Sequence, residues 1–165
     1  MNLKLRNPTE KDLPQLHKQI NDKEIHKNIP EIPYPCSLKI TKNILKDMIK
    51  ENKEGKKKNF IIKINGNIAG AAGLTKLSKK HKAEVWLWIG KDYRGKGVGR
   101  KVLKFVTKLG FEKLKLKRIY GTLLASNRAS ENLLKKCEYK KEGTLKKNVK
   151  IKNKFVDELI YAIIK

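Results

Sequence analysis

The chain has 165 residues, 39% of them hydrophobic, which is long enough for a single domain with a buried core. Its 41 basic and 16 acidic residues give a formal charge of +25, and 36 of the basic residues are lysines spread along the whole chain. Such a spread is typical of a solvated surface rather than of a clustered nucleic-acid-binding arm, although its field favours anionic partners. We therefore expect one domain over residues 1–165.

The cysteines and histidines give no metal or disulfide pattern. Cys36 and Cys137 lie about a hundred positions apart, and none of the three histidines has a ligand spacing with them. No apolar run approaches the roughly 18 residues of a membrane helix, and the N-terminus lacks the apolar segment of a signal peptide. We expect a cytoplasmic protein with no metal and no membrane contact.

The first half of the chain predicts one strand, two helices and a hairpin. The strand covers residues 3–6, and the proline-containing run "IPEIPYP" separates the two helices. Asn65-Gly66, between "NFIIKI" and "NIAGAAGL", predicts a tight turn joining two antiparallel strands. The apolar faces are Leu13, Leu16 and Ile20 in the first helix and Ile40, Ile44 and Met48 in the second.

The second half alternates strands and helices. "AEVWLWIG" predicts an interior strand whose one carboxylate is Glu84, and a helix, the strand "RIYGTLLA", a helix starting near Asn127 and two closing strands at 139–145 and 155–164 follow. This order predicts a mixed α/β sheet of about seven strands. The apolar face of the first of these helices is Val98, Val102, Phe105, Val106 and Leu109.

The stretch "DYRGKGVGRKV" joins the interior strand to that helix. Its alternate glycines remove Cβ atoms, so that backbone N–H groups can converge on a ligand beside the unpaired donors of the helix N-terminus. The pattern predicts a phosphate cradle, with a ligand-free tight connection as the alternative. The glycines are Gly95, Gly97 and Gly99, and the surrounding charges are Arg94, Lys96 and Arg100.

The pattern Arg94-x-x-Gly97-x-Gly99 resembles the acetyl-CoA-binding motif of the Gcn5-related N-acetyltransferases (GNAT). "SNRASENLLKKCEYKKEGTLKK" and "FVDELIYAII" are similar to the Asn-x-x-Ser helix, hairpin and final strand of the branch that acetylates the N-termini of ribosomal proteins. The resemblance implies the GNAT fold: about seven mostly antiparallel strands, with a central splayed parallel pair and about four helices. It also implies acetyl-CoA as the donor.

The resemblance further implies which residues hold that donor. The pyrophosphate would lie on residues 94–100, the pantetheine would pair with the backbone of Leu87 and Ile89, and Asn127 would bond the pantetheine. The implied set is Leu87, Ile89, Arg94, Gly95, Lys96, Gly97, Val98, Gly99, Arg100 and Asn127.

Two residues are candidates for the proton transfers. Glu84 lies on an apolar strand beside the implied thioester, and burial favours the neutral form of a carboxylate, so it is the candidate base. The alternative is a strand-end residue paired with a surface lysine, and Glu31 is a weaker second base. The tyrosine that many relatives use as acid is replaced by Leu134. Ser130 is then the candidate donor to sulfur, or a first-turn serine that bonds the backbone.

Four further positions are expected to be structural. Trp86 and Trp88 share one face of their strand and are expected in the core, with the wall of the acceptor site as the alternative. The Gly-Phe expected before the last strands is replaced by Glu138-Tyr139, which places a non-glycine in a turn. Tyr139 is expected in the core.

The acceptor is the least determined part. We expect direct attack by an amine, preferably a protein N-terminal α-amine, because a pKa near 7.7 leaves about a sixth of it neutral at pH 7, against about 0.04% of a lysine near 10.4. The alternatives are a small amine (amino acid, antibiotic or polyamine), or a non-catalytic acetyl-CoA or nucleic-acid-binding module. We expect the lysines around 56–58 and 146–152 to be solvated. The alternatives are that they contact rRNA or hold the 3′-phosphate of coenzyme A. Either a monomer or a homodimer is compatible with the sequence.

Overall fold

A computed structural model describes residues 1–165, which form seven strands and five α-helices. The strands are β1 (Leu3–Arg6), β2 (Lys58–Ile64), β3 (Asn67–Ser78), β4 (Lys82–Ile89), β5 (Arg118–Leu124), β6 (Lys140–Ile151) and β7 (Lys154–Ile164). The helices are α1 (Leu13–Ile20), α2 (Lys23–Asn28), α3 (Leu38–Lys53), α4 (Val98–Glu112) and α5 (Arg128–Lys136). The predicted order of elements is confirmed, with α2 as an addition.

All seven strands form one sheet in the order β1-β2-β3-β4-β5-β7-β6. Neighbours are antiparallel except β4 and β5, which pair in parallel only from Lys82 opposite Arg118 to Glu84 opposite Tyr120. Beyond that point β4 stays paired with β3 as far as Ile89, and β5 stays paired with β7. The two strands diverge, which confirms the expected splayed pair, and we call the position of Glu84 and Tyr120 the apex.

Helices cover both faces of this sheet. α4 packs on the face that contains Val85 and Ile119, with α5 beside it, whereas α1, α2 and α3 pack on the face that contains Trp88. Because side chains alternate along a strand, Glu84 and Trp86 share the face of Trp88. Trp88 is buried in the core and Trp86 is half-buried against it, so the structure confirms the core expectation for Trp88.

Three sequence expectations need correction. On α4, Phe105 is 44% exposed and packs edge-on against Phe60, while Leu103 is buried in its place. On α3, the buried line runs through Thr41 and Leu45, and the expected Ile40 and Ile44 are only half-buried beside it. The helix α2 was not predicted, because only one of its residues is buried and it has no visible apolar period.

The turns follow local backbone chemistry. Asn65 and Gly66 have positive φ angles of 48° and 86°, which confirms the predicted tight hairpin. At the end of α5, Glu138 takes the left-handed position with φ of 69°, where the N–H of Tyr139 donates to the carbonyl of Leu134. The turn therefore keeps its usual shape with a glutamate, at a strain of about 1 kcal/mol. None of the five helices has both the length and the apolar character that crossing a membrane requires.

Candidate active site

The glycine loop, residues 94–100, leads from β4 into α4. Gly95 and Gly97 have φ angles of 71° and 74°, and Gly97 is the N-cap of α4. Left-handed backbone disfavours any residue with a Cβ, which explains these two glycines. A Cβ at either position would meet no atom within 4 Å, so the space above the loop is open.

Gly99 is needed for a different reason. Its φ is ordinary, but a Cβ there would lie 3.3 Å from Cδ2 of Leu133 on α5 and 3.9 Å from Cδ1 of Leu87 on β4. This glycine lets the first turn of α4 approach α5 and the splayed edge of β4 closely. The three alternate glycines therefore combine two open positions with one packing position.

The N-terminus of α4 has free hydrogen-bond donors. The first main-chain bond is from Lys101 N to Gly97 O, at 3.2 Å, so the N–H groups of Val98, Gly99 and Arg100 have no protein acceptor. No acidic residue lies in the first turn. Such a helix end attracts anions through its N–H groups and its dipole.

Of the three expected charges around the loop, one points freely to solvent. Arg100 is exposed and is the one arginine of five that has no carboxylate partner. The Arg94 guanidinium instead donates from Nε to the carbonyl of Ile89, at 2.8 Å, and from Nη2 to Asp22 at the start of α2, at 2.6 Å. The Lys96 ammonium donates to the carbonyl of Asp92. These two cations brace the loop, and Arg100 is the side chain left for an anion.

The edge of β4 at the splay carries unpaired main-chain groups. Gly90 N donates to Ala69 O on β3, at 2.8 Å. Because alternate residues of an antiparallel pair bond to the same neighbour, the main-chain groups of Leu87 and Ile89 face the other way, into the gap beside β5. The bond from Arg94 to the Ile89 carbonyl agrees with this direction. The pairing of Leu87 and Ile89 with pantetheine stays a prediction. Because the Ile89 carbonyl already accepts a hydrogen bond from Arg94, it has less capacity to bind the pantetheine.

Glu84 lies at the apex with only 9% of its surface exposed. Its Oε1 accepts from the Thr122 hydroxyl of β5, at 2.8 Å, and its Oε2 lies 2.6 Å from Nζ of Lys76 on β3. The position of Glu84 beside the splay suits a base. Its ion pair with Lys76 instead agrees with the alternative, in which Glu84 is a structural residue paired with a surface lysine. Its role as a base stays a prediction. Glu31, the second candidate, is exposed.

Asn127 and Ser130 lie at the start of α5. The Asn127 Oδ1 accepts from the backbone N–H of Ser130, at 3.1 Å, and so caps the helix. The Asn127 amide nitrogen and the Ser130 hydroxyl make no hydrogen bond within the protein. The expected backbone bond of the serine hydroxyl is thus not formed, and both groups are available to a ligand.

The residues that replace the family's usual pattern are structural. Leu134 is buried in the core between α5 and the sheet. Tyr139 is buried too, its hydroxyl lies 2.7 Å from Thr107 Oγ1, and burial raises its pKa far above the usual value. The core expectation for Tyr139 is therefore confirmed.

Several residues at the site were not found from the sequence. Lys76, Thr122 and Asp22 belong to segments that carry no motif, and each is brought in by strand register or helix packing. Below the start of α5, the buried Glu131 accepts from the Tyr161 hydroxyl, at 2.7 Å. Its hydrogen bonds from Lys135, Tyr161 and Arg128 lower the pKa of Glu131 to about 2.

A separate cavity of about 380 Å³ lies at the C-terminal half of α4, lined by residues that include Lys104, Phe111 and Ile163. None of the predicted site residues lines it. Because it lies away from the glycine loop and the splay, this cavity is not the candidate site.

Residues 2–140, most of the chain, match the profile of the acetyltransferase (GNAT) domain. The chain belongs to the GNAT family. The uncharacterized N-acetyltransferase YnaD of Bacillus subtilis is 26% identical over 156 residues, which cover 93% of this chain and 88% of YnaD. The spermidine N(1)-acetyltransferase of Escherichia coli strain K12 is 25% identical over 144 residues, 87% of this chain and 75% of that protein.

Not every match covers the whole relative. The uncharacterized N-acetyltransferase p20 of Bacillus licheniformis is 27% identical over 115 residues, 68% of this chain and 65% of p20.

Among solved structures, RimL, a ribosomal L7/L12 alpha-N-protein acetyltransferase solved in complex with coenzyme A, has a TM-score of 0.89 at 19% identity, covering 99% of this chain and 94% of RimL. RimL therefore shares the fold.

Membership of the GNAT family supports an acyltransferase with acetyl-CoA as its acetyl donor. The residues present fit that donor. Open space above Gly95 and Gly97, three free N–H groups and the Arg100 guanidinium suit a pyrophosphate. The unpaired edge of β4 suits a chain that contains amides.

Proposed function

We propose that this protein transfers the acetyl group of acetyl-CoA to the α-amine of a protein N-terminus. The observation that carries the proposal is the apex, where the pairing of β4 with β5 ends at Glu84. The glycine loop lies at the other end of the gap between these strands, and the Glu84 side chain lies on the sheet face covered by α1, α2 and α3. A donor entering along β4 from the glycine loop would bring its acetyl group to the one buried carboxylate on that strand.

The donor supplies an activated thioester, and the chain supplies binding and proton transfers. The free N–H groups at the start of α4 and Arg100 would hold the pyrophosphate. Main-chain groups of Leu87 and the Asn127 amide nitrogen would hold the pantetheine. Glu84 at the apex would accept the proton from the attacking amine, and the Ser130 hydroxyl at the start of α5 would donate one to the departing thiolate.

The hydrogen bonds that Glu84 already accepts favour an acceptor amine that needs little help from a base. Both carboxylate oxygens already accept hydrogen bonds, from Thr122 and Lys76, so Glu84 is engaged before any acceptor arrives. An α-amine is about a sixth neutral at pH 7, several hundred times more than a lysine side chain. This argument favours an N-terminal α-amine over a lysine side chain.

A small polyamine is the second candidate, and one observation favours it. The Glu84 carboxylate at the apex already holds one ammonium, that of Lys76, at 2.6 Å in a chain of charge +25. The relative of E. coli named spermidine N(1)-acetyltransferase adds to this candidate. A local acidic site of this kind can overcome the general repulsion of a polycation.

Coenzyme A release from acetyl-CoA tests both acceptors. The panel contains short peptides with Ala, Ser or Met at a free N-terminus, their N-acetylated twins, spermidine, and free amino acids. The proposal expects release with the free peptides and none with the acetylated twins. Release with spermidine alone would replace it by the second candidate, and silence with every amine would contradict both.

A further inference from the structure

We propose that the Lys76 ammonium occupies the place of the acceptor amine on Glu84, so that an acceptor must displace Lys76 before acetyl transfer. The inference rests on the proposed function of the apex. It assigns Lys76 as a residue that determines which amines are admitted.

The backbone of β3 directs this lysine to Glu84. Thr75 pairs with Glu84 and Ser78 pairs with Lys82, so two residues of β3, Lys76 and Leu77, lie opposite the single Ala83 of β4. Lys76 has a φ of 48°, a left-handed conformation that usually requires glycine or asparagine. In a regular strand Lys76 would point to the face opposite Thr75, but a bulge turns the side chain of its extra residue. The lysine thus reaches the face on which Glu84 lies.

The contact joins an exposed cation to a fixed anion. The Lys76 side chain is 66% exposed, whereas that of Glu84 is 11% exposed and is held from its other oxygen by Thr122. The titratable groups that face the ammonium are Glu84 on β4, Tyr120 on β5 and Glu158 on β7, and the Glu84 hydrogen bond is the largest influence that raises the pKa of Lys76. Lys76 can therefore swing out to solvent, while Glu84 keeps its position.

To a carboxylate, a lysine ammonium and the ammonium form of an incoming amine are the same chemical group. The Lys76 ammonium already lies on Oε2, and a second ammonium placed there would be repelled by its like charge, so a cationic acceptor gains its bond to Glu84 by replacing Lys76. The lysine end of the pair is exposed to solvent, so exchange is easy, with an expected effect on acceptor affinity of about two- to fivefold. Neutral molecules cannot make the replacement, so Lys76 would admit cationic amines selectively.

The test is calorimetric titration of an alanine-N-terminal peptide, in the presence of coenzyme A, into the wild-type protein and three variants. Lys76→Met removes the ammonium and keeps the side-chain length, and Lys76→Arg keeps the charge. Lys80→Met is the matched control, because Lys80 is also an exposed lysine with positive φ, of 55°, but has no acidic partner. We expect two- to fivefold tighter binding in Lys76→Met, and wild-type affinity in Lys76→Arg and Lys80→Met.

The double variant Lys76→Met/Glu84→Gln sharpens the test, because the gain from Lys76→Met should vanish when the carboxylate is absent. Equal peptide affinity in wild type and Lys76→Met, an equal gain in Lys80→Met, or no peptide binding to any variant would overturn the inference. Coenzyme A release is measured on the same samples. Tighter binding in Lys76→Met without release by any of the proteins would contradict the proposed function, while it would support the exchange of an amine with Lys76 on Glu84.

Discussion

The glycine loop and the apex lie at opposite ends of the same stretch of β4, but they are built from different parts of the chain. The loop offers backbone: three free N–H groups, two left-handed glycines and one exposed arginine, all within residues 94–100. The apex offers side chains brought together from separate strands, with Lys76, Glu84 and Thr122 in one hydrogen-bonded group. The donor end is therefore a local property of the chain, and the acceptor end depends on strand register. Changes at the first should affect donor binding, and changes at the second should affect turnover and acceptor choice.

The largest effect is expected for Gly97→Val. A β-branched residue is strained at φ of 74°, and its side chain would fill the space above the free N–H groups. Loss of two hydrogen bonds to a charged phosphate predicts acetyl-CoA affinity more than about 10²-fold weaker by calorimetry. Gly55→Val is the matched control, because Gly55 has φ of 69° and open space but lies before β2. Equal loss in both variants would mean that the effect is on folding.

Glu84→Gln should lower turnover about 10²-fold if Glu84 is the base, while acetyl-CoA affinity is unchanged. The amide keeps the size of the side chain and can still accept from Thr122, so the fold is retained. Steady-state kinetics with the accepted peptide, together with donor titration, measure the two effects separately. A turnover close to wild type at every pH would limit Glu84 to a structural role.

Ser130→Ala should lower turnover by about tenfold, less than a full general acid, because water can supply part of the proton transfer. The helix cap is made by Asn127 to the backbone of Ser130, so the substitution leaves it intact. Unchanged kinetics would remove Ser130 from the mechanism. A parallel loss of acetyl-CoA affinity would move its role to donor binding.

Arg100→Ala should weaken acetyl-CoA binding about three- to tenfold at low salt, and the difference from wild type should shrink as salt is added. Arg100→Lys should recover part of the loss. The neighbouring Lys101→Ala serves as control, since Lys101 is also exposed. An equal effect of both alanine variants would indicate a general field rather than a specific contact.

The smallest effect concerns stability rather than activity. The pKa of Glu131 falls from its usual 4.5 to about 2 in the folded protein, so its ion pairs stabilise the fold above the unfolded value. That contribution should be lost as the pH falls from about 4.5 to about 2. Acid denaturation of Glu131→Gln should lack this part of the transition. An identical acid transition in both proteins would contradict the assignment.

The sequence is informative where the local backbone sets the outcome. The glycine loop, the Asn65-Gly66 turn and the alternation of strands and helices each follow from a few neighbouring residues, and the fold is confirmed. The buried face of α4 was partly wrong because Phe105 has the right period but packs at the rim against Phe60. Periodicity predicts which face of a helix is buried, but it does not predict which residues at the border of that face stay exposed.

The apex could not be predicted in the same way. The pairing of Lys76 with Glu84 depends on a bulge in β3, and nothing in the run "GLTKLSKKHK" distinguishes Lys76 from the other lysines. The bond from Arg94 to Asp22 joins residues 72 positions apart. Such contacts arise from register and packing, which a local pattern does not record.

One measurement tests the difference between the two ends most directly. Acetyl-CoA binding and peptide-dependent coenzyme A release are measured side by side for wild type, Gly97→Val and Glu84→Gln, with the alanine-N-terminal peptide as acceptor. We predict that both variants lose release, but that only Gly97→Val loses acetyl-CoA binding. Full release by Gly97→Val, or loss of donor binding in Glu84→Gln, would contradict the assignment of the glycine loop to the donor and the apex to the acceptor.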